Sequence, residues 1–366
     1  MGFKCGIVGL PNVGKSTLFN ALTETAAAAA ANYPFCTIEP NVGLVPVPDP
    51  RLDTIARIGG SAQIIPTQIT FVDIAGLVRG ASKGEGLGNQ FLSHIREVDA
   101  VCHVLRCFED GDITHVEGRV DPMADAEIIE TELMLADLDS LEKRVPALQK
   151  KSKGGADEES KIRLALMERA LAVLREGKPA RAVDVSADEK PIFATLDLIT
   201  AKPVLYVCNV EEASAASGNK YSDLVAAKAK AEGAAYVVIS AAIEAEVAQL
   251  DAEERTAFLA DLGLEETGLS RLIRAGYALL GLITYFTVGP KEARAWTIVK
   301  GTKGPGAAGV IHSDFERGFI KAETMAYDDY VKYNGEAGCK DSGRLRQEGK
   351  EYTVLDGDIL HFKFNV

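Results

Sequence analysis

Aromatic side chains are scarce in this sequence: they make up 7% of its 366 residues, with a single tryptophan. No run of about 18 apolar residues occurs, so no membrane-crossing helix is expected. Positive charge is also short, with 40 Lys and Arg against 53 Asp and Glu and a net charge of −13. A chain so acidic repels phosphate backbones, which disfavours broad non-specific nucleic-acid binding. The deficit is uneven: Lys300, Lys303, Arg317, Lys321, Lys332, Lys340, Arg344 and Arg346 bring the last stretch close to balance. Met1-Gly2-Phe3-Lys4 runs straight into a strand-like segment and lacks a secretory n-region and cleavage site. Gly6 stands where N-myristoylation needs Ser or Thr. The six cysteines form no C-x-x-C pair and no cluster with histidine, which argues against a disulfide framework or zinc site. A reducing, cytoplasmic setting is expected.

What is present is an alternation of strands and helices. Residues 3–10, 68–74, 100–106, 203–208 and 235–240 are short, continuous, β-rich apolar runs, as buried parallel strands are. Helical stretches separate them, which predicts an α/β sheet covered on both faces. Residues 122–179 break the pattern. Ile128, Ile129, Leu133, Leu135, Leu138, Leu141, Val145 and Leu148 keep helical spacing; a polar turn at 152–160 follows, then a second apolar helix that stops at Gly177 and Pro179. This predicts an antiparallel helical hairpin inserted in the sheet domain. Ser186 and Glu189 have the spacing of a capping box that opens another helix. From about residue 284 the texture changes to a small α+β domain, with strands expected at 294–299, 309–312 and 359–364. The predicted division is a nucleotide-binding domain at 1–121 and 180–283, a hairpin at 122–179 and a C-terminal domain at 284–366.

The chemistry is carried by Gly9-Leu10-Pro11-Asn12-Val13-Gly14-Lys15-Ser16, which matches G-x-x-x-x-G-K-[ST] between a strand and a helix. Its glycines allow backbone N–H groups from Val13 and Gly14 to Thr17 to surround a β-phosphate. Lys15 would reach the β- and γ-phosphates, and Ser16 would ligate Mg²⁺. Asp73-Ile74-Ala75-Gly76 follows an apolar strand; Asp73 would hold Mg²⁺ through water and Gly76 would offer its N–H to the γ-phosphate. Thr37, in the loop between these motifs, would complete the metal shell when the γ-phosphate is present. Asn209-Val210-Glu211-Glu212 stands where guanine-reading proteins carry N-K-x-D. No lysine follows the asparagine, and Glu212 is longer than aspartate. Adenine held by Asn209 and backbone near Val210, with Ser240 lining the pocket, fits better. Leu77 follows Gly76 and cannot orient a water molecule, so His115, in a polar loop, is the candidate for that task.

With these residues in place, the chain resembles the YchF/Obg-like ATPase family, in the Obg branch of translation-factor-type P-loop GTPases. Gly9–Thr17, Asn32–Val42, Val45–Arg51, Phe71–Asn89, Arg106-Cys107-Phe108-Glu109 and the Asn209-x-x-Glu212 departure carry the resemblance, which spans nearly the whole chain. It implies a Ras-like P-loop domain with an inserted helical coiled-coil hairpin and a C-terminal TGS domain of ubiquitin-like β-grasp fold. It further implies preference for ATP over GTP and association with ribosomes; with Leu77 after Gly76, ATP hydrolysis is expected to be slow. Asn12 resembles the asparagine that helps bind K⁺ in potassium-stimulated relatives. RNA contact is expected through the hairpin tip near Lys150-Lys151-Ser152-Lys153 and the C-terminal domain, and the chain is expected to be a monomer. Two rivals differ from this reading: a GTPase of the same architecture, and a nucleotide-gated binding protein whose hydrolysis is incidental.

Overall fold

The computed structural model describes residues 3–30, 41–74, 87–111, 118–152 and 157–365. The five apolar runs become β1 (Lys4–Val8), β4 (Gln68–Asp73), β5 (Ala100–Arg106), β6 (Val204–Asn209) and β7 (Ala235–Ile239), joined by two strands not expected, β2 (Val42–Pro46) and β3 (Gln63–Ile65). The first sheet has the order β2-β4-β1-β5-β6-β7, with β2 antiparallel to β4 and every other pair parallel. All seven residues of β5 are buried, as a central strand between two helical layers requires. Helices α1 (Lys15–Ala30), α2 (Pro50–Gly59), α3 (Leu87–Arg96), α4 (Pro122–Ser152), α5 (Glu158–Arg175), α6 (Lys190–Ala194), α7 (Lys220–Glu232), α8 (Ala241–Val247), α9 (Ala252–Asp261) and α10 (Gly268–Leu279) follow in chain order.

The expected helical hairpin is α4 and α5, packed on Leu141, Val145, Leu166, Ala170 and Leu174. Its base is tied to the sheet domain by Asp137. That buried carboxylate accepts hydrogen bonds from Ile199 N, Thr200 N and Thr200 Oγ1 at 2.9, 2.8 and 2.7 Å. The expected capping box opens no helix at Ser186. Glu189 does accept from Ser186 N, but α6 begins only at Lys190, because Pro191 forbids further helical hydrogen bonding at that point and suits only a first turn.

The C-terminal part forms a second sheet from β8 (Leu282–Val288), β9 (Glu292–Val299), α11 (Gly304–Ile311), α12 (Ser313–Arg317), β10 (Phe319–Met325), α13 (Tyr327–Lys332), α14 (Glu336–Asp341), β11 (Arg346–Glu348) and β12 (Ile359–Phe364). Its order is β11-β10-β12-β8-β9-β3, and β12 lies parallel to β8 in the middle, which is the β-grasp arrangement. Residues 309–312, expected as a strand, close helix α11 instead; Pro305 in its first turn starts that helix, and Ala307 and Ala308 bury against the sheet.

The sixth strand of this sheet, β3, comes from the N-terminal half of the chain and pairs with β9 from Gln63↔Glu292 to Ile65↔Arg294. Helix α2 comes with it. Asp49 caps α2 by accepting from Arg51 N, Pro50 opens it, and Gly60 at φ 64° closes it. Its Leu52, Ile55 and Ala56 share one core with Phe286, Ala293, Ala295 and Ile359. Arg51 then joins the two parts by bonding Asp49 on one side and Asp356 on the other.

Candidate functional site

The glycine-rich loop leaves β1 after Val8 and enters α1 at Lys15. A side chain at Gly9 would stand 2.7 Å from Val104 O, so that strand passes too close for any other residue. Gly14 sits at φ +92°, and a Cβ there would run into Asn209 Nδ2. Asn12, at φ 62°, turns the chain at the head of the loop. Leu18 N donates to Gly14 O, so α1 starts at once and turns its free N-terminal N–H groups to the loop.

Register Ile7↔Asp73 sets Asp73 beside the root of this loop. Lys15 Nζ lies 3.6 Å from Asp73 Oδ1, both side chains being largely buried, at 11% and 16% exposure. Asp73 Oδ1 is buried and accepts no hydrogen bond among the described residues. An acceptor held next to a phosphate loop without a donor fits a hydrated cation, so the donor set suits Mg²⁺.

On the far side, Asn209 joins three elements. Its Nδ2 donates to Val13 O, its Oδ1 accepts from Ala241 N, and its carbonyl accepts from Cys107 N, at 2.9, 2.9 and 2.8 Å. The loop, the end of β6 and the start of α8 are thus held by one side chain that is 4% exposed. Val210 is buried and donates its N–H to Ile239 O. Ser240 Oγ is buried and without a partner among the described residues. Glu212 opens a short 3-10 turn, Glu212–Ser214, and is exposed, whereas Glu211 is engaged by Ser214 Oγ and Asn219 Nδ2.

Sequence reasoning did not single out Asn219. It caps α7 through Tyr221 N and Ser222 N and also donates to Cys107 O at 2.7 Å. The signal was available as an asparagine one residue before a helix. Arg106 was seen only as part of a motif; it is buried, donates to Phe108 O and Asp110 O, and lies over the Phe108 ring. The thiol of Cys107 is pushed up by its hydrogen bond to Cys208 and by burial, so it stays protonated and inert. Thr37, Gly76, Leu77 and His115 lie outside the described residues.

This loop, with its lysine facing a strand-end aspartate on a Ras-like sheet, defines a P-loop nucleotide-binding protein. A family model described as "50S ribosome-binding GTPase" matches residues 4–150, and the YchF-GTPase C-terminal model, described as "Protein of unknown function (DUF933)", matches residues 282–365. The chain is 58% identical over 366 residues to the "Ribosome-binding ATPase YchF" of Haemophilus influenzae, and 52% identical over 368 to that of Bacillus subtilis, with all of each chain covered. The solved structure of the Schizosaccharomyces pombe YchF GTPase superposes with a TM-score of 0.89 at 41% identity, over 99% of this chain and 98% of that one. The chain belongs to the YchF family.

Proposed function

We propose that this protein is a ribosome-binding ATPase that hydrolyses ATP slowly and whose nucleotide state controls its association with the ribosome. The carrying observation is the Lys15–Asp73 pair at the mouth of the glycine loop, with Asn209 bracing that loop from the base side. Lys15 stabilises the charge of the β- and γ-phosphates, helped by backbone N–H groups of Val13, Gly14, Ser16 and Thr17. Ser16, Thr37 and Asp73 are the residues that would hold Mg²⁺, which when bound neutralises phosphate charge. Gly76 reads the γ-phosphate, and His115 orients the attacking water in place of Leu77. Removing His115 should slow turnover; unchanged turnover would favour a nucleotide-gated binding protein.

Adenine rather than guanine is read by Asn209, Val210 and Ser240. In support, Glu211 is occupied by Ser214 and Asn219, and Glu212 is too long for the bidentate grip on guanine. Calorimetry with Mg²⁺ tests this reading. ATP should bind at least about tenfold more tightly than GTP, a difference of about 1.4 kcal/mol. Tighter GTP binding would overturn the base assignment. K⁺ stimulation through Asn12 is tested by exchanging K⁺ for Na⁺ in the turnover assay. Cosedimentation with ribosomes in each nucleotide state tests partner binding, and RNA contact would pass through the α4–α5 tip and the C-terminal sheet. The protein acts as a cytoplasmic monomer. Its working parts are the nucleotide unit (1–121 and 180–283), the helical insertion (122–179) and the C-terminal TGS unit (284–366), which borrows residues 50–65 from the first.

A further inference from the structure

The nucleotide loops follow the C-terminal ends of the strands. At the other end of the same sheet, a cavity of about 550 Å³ opens between β5, β6, α4, α7 and the segment 177–182. Its volume is in the range of small-molecule sites, roughly 300–1,000 Å³. Val101, Leu133, Met134, Ile199 and Val204 make most of its wall apolar.

Its polar lining is uneven. The carboxylates of Glu130 and Glu232 already have donors on every oxygen. The single proton of Tyr206 Oη goes to Glu130 Oε1 at 2.5 Å, with Glu232 Oε2 also within 2.9 Å of that oxygen. Lys228 Nζ donates to Glu130 Oε2 and Glu232 Oε1 at 3.0 and 2.5 Å, and Arg181 Nη2 donates to Glu232 Oε2 at 3.0 Å. The unspent capacity is on the donor side. Arg181 engages one of its nitrogens in these bonds, and Lys178, paired with exposed Glu176, stands at the rim. On the β5 wall, His103 is 2% exposed and its Nε2 has no partner among the described residues. Burial, with Lys228 and Arg181 nearby, lowers its pKa to about 3, so the ring is neutral and offers one donor and one acceptor. A buried polar atom without a partner, in an apolar cavity with residual cationic donors, is the pattern of a ligand site.

We propose that this cavity binds a small aromatic monoanion, with its ring among the apolar wall residues, a polar ring atom at His103 Nε2 and its acidic group toward Arg181 and Lys178. Such a ligand would act where the helical insertion joins the sheet, apart from the phosphate loop.

The probe is indole-3-acetate, titrated into the full chain labelled with ¹⁵N-histidine. The His103 ring resonances should shift saturably. R181Q should weaken binding about tenfold, and M134W, which fills the cavity, should abolish it. The neutral analogue indole-3-acetamide should bind more weakly than the acid. Both variants are checked by ATP affinity, since neither residue touches the phosphate loop. If one fails this check, the other variant and the acid–amide comparison still decide. No His103 shift at millimolar probe would overturn the proposal, as would a shift insensitive to R181Q, M134W and the probe's charge.

Discussion

Gly14 is where the smallest change should have the largest effect. An alanine there meets both a positive φ and Asn209 Nδ2, whose hydrogen bond to Val13 O shapes the loop. G14A should reduce nucleotide affinity by at least about a hundredfold, or about 2.7 kcal/mol, with the circular dichroism spectrum retained; calorimetry checks it. N209A acts on the same contact from the other side. It strands Val13 O and Ala241 N, so it should cost about 2–4 kcal/mol of stability in a denaturant melt and weaken nucleotide binding as well. Asn209 was chosen from the sequence for the base it would touch, and its position shows a second task, fastening two loops together. That task depends on Ala241, whose backbone N–H no sequence pattern announces. A third prediction concerns pH. His103 titrates near 3 in the folded chain against about 6.5 when unfolded, so the unfolded state binds the extra proton between those values. Stability from this group is full above about 6.5 and falls by about 1.4 kcal/mol per unit as pH drops toward 3. H103Q should flatten that slope relative to the parent; equal slopes from pH 6.5 to 4.5 would refute the assignment.

At the scale of elements, the buried carboxylate of Asp137 anchors the insertion alongside Glu130, which Tyr206 and Lys228 hold. Asp137 on α4 satisfies the first N–H groups of the 3-10 turn Ile199–Ala201. D137A leaves those donors buried and unpaired and should cost about 3 kcal/mol or more, read as a shift of the urea midpoint at constant slope. The hairpin itself was legible because its apolar residues keep helical spacing over 122–175 and Gly177, at φ 73°, ends it. Helix α2 was not singled out, although Asp49-Pro50 at its start and Gly60 after its end were signals for one. Strand β3 gave no such signal. Its three residues are too few to show periodicity, and only Glu292–Arg294 beside them makes them a strand. Residues 309–312 went the other way: Val310 and Ile311 favour strand locally, and the sheet beneath α11 overrode that preference.

For the molecule as a whole, the decisive contact is the docking of residues 50–65 onto the C-terminal sheet. Phe286, Ala293, Ala295 and Ile359 bury against Leu52, Ile55 and Ala56. A fragment starting at Gly281 lacks those partners and the β3 edge. It should therefore be unfolded or aggregated, read as narrow amide proton dispersion, whereas the full chain should show dispersed resonances. A well-dispersed, monomeric fragment would mean that the C-terminal sheet folds without α2 and β3. The same docking puts the stretch of chain between the phosphate loop and Asp73 in contact with the C-terminal sheet.

The sequence by itself determined the phosphate loop, the five central strands and the helical insertion, because each rests on local spacing: glycines at fixed intervals, short apolar runs, and a 3.6-residue period. Family membership was equally legible in Gly9–Thr17 and the other motifs, and the 58% identity to the Haemophilus influenzae protein agrees with it. Only the tertiary structure decided that Lys15 and Asp73 face each other, that Asn209 closes the loop through Ala241, and that β3 and α2 belong to the second sheet. Those contacts join residues far apart in the chain, and burial and hydrogen-bond satisfaction, which no local pattern encodes, selected them.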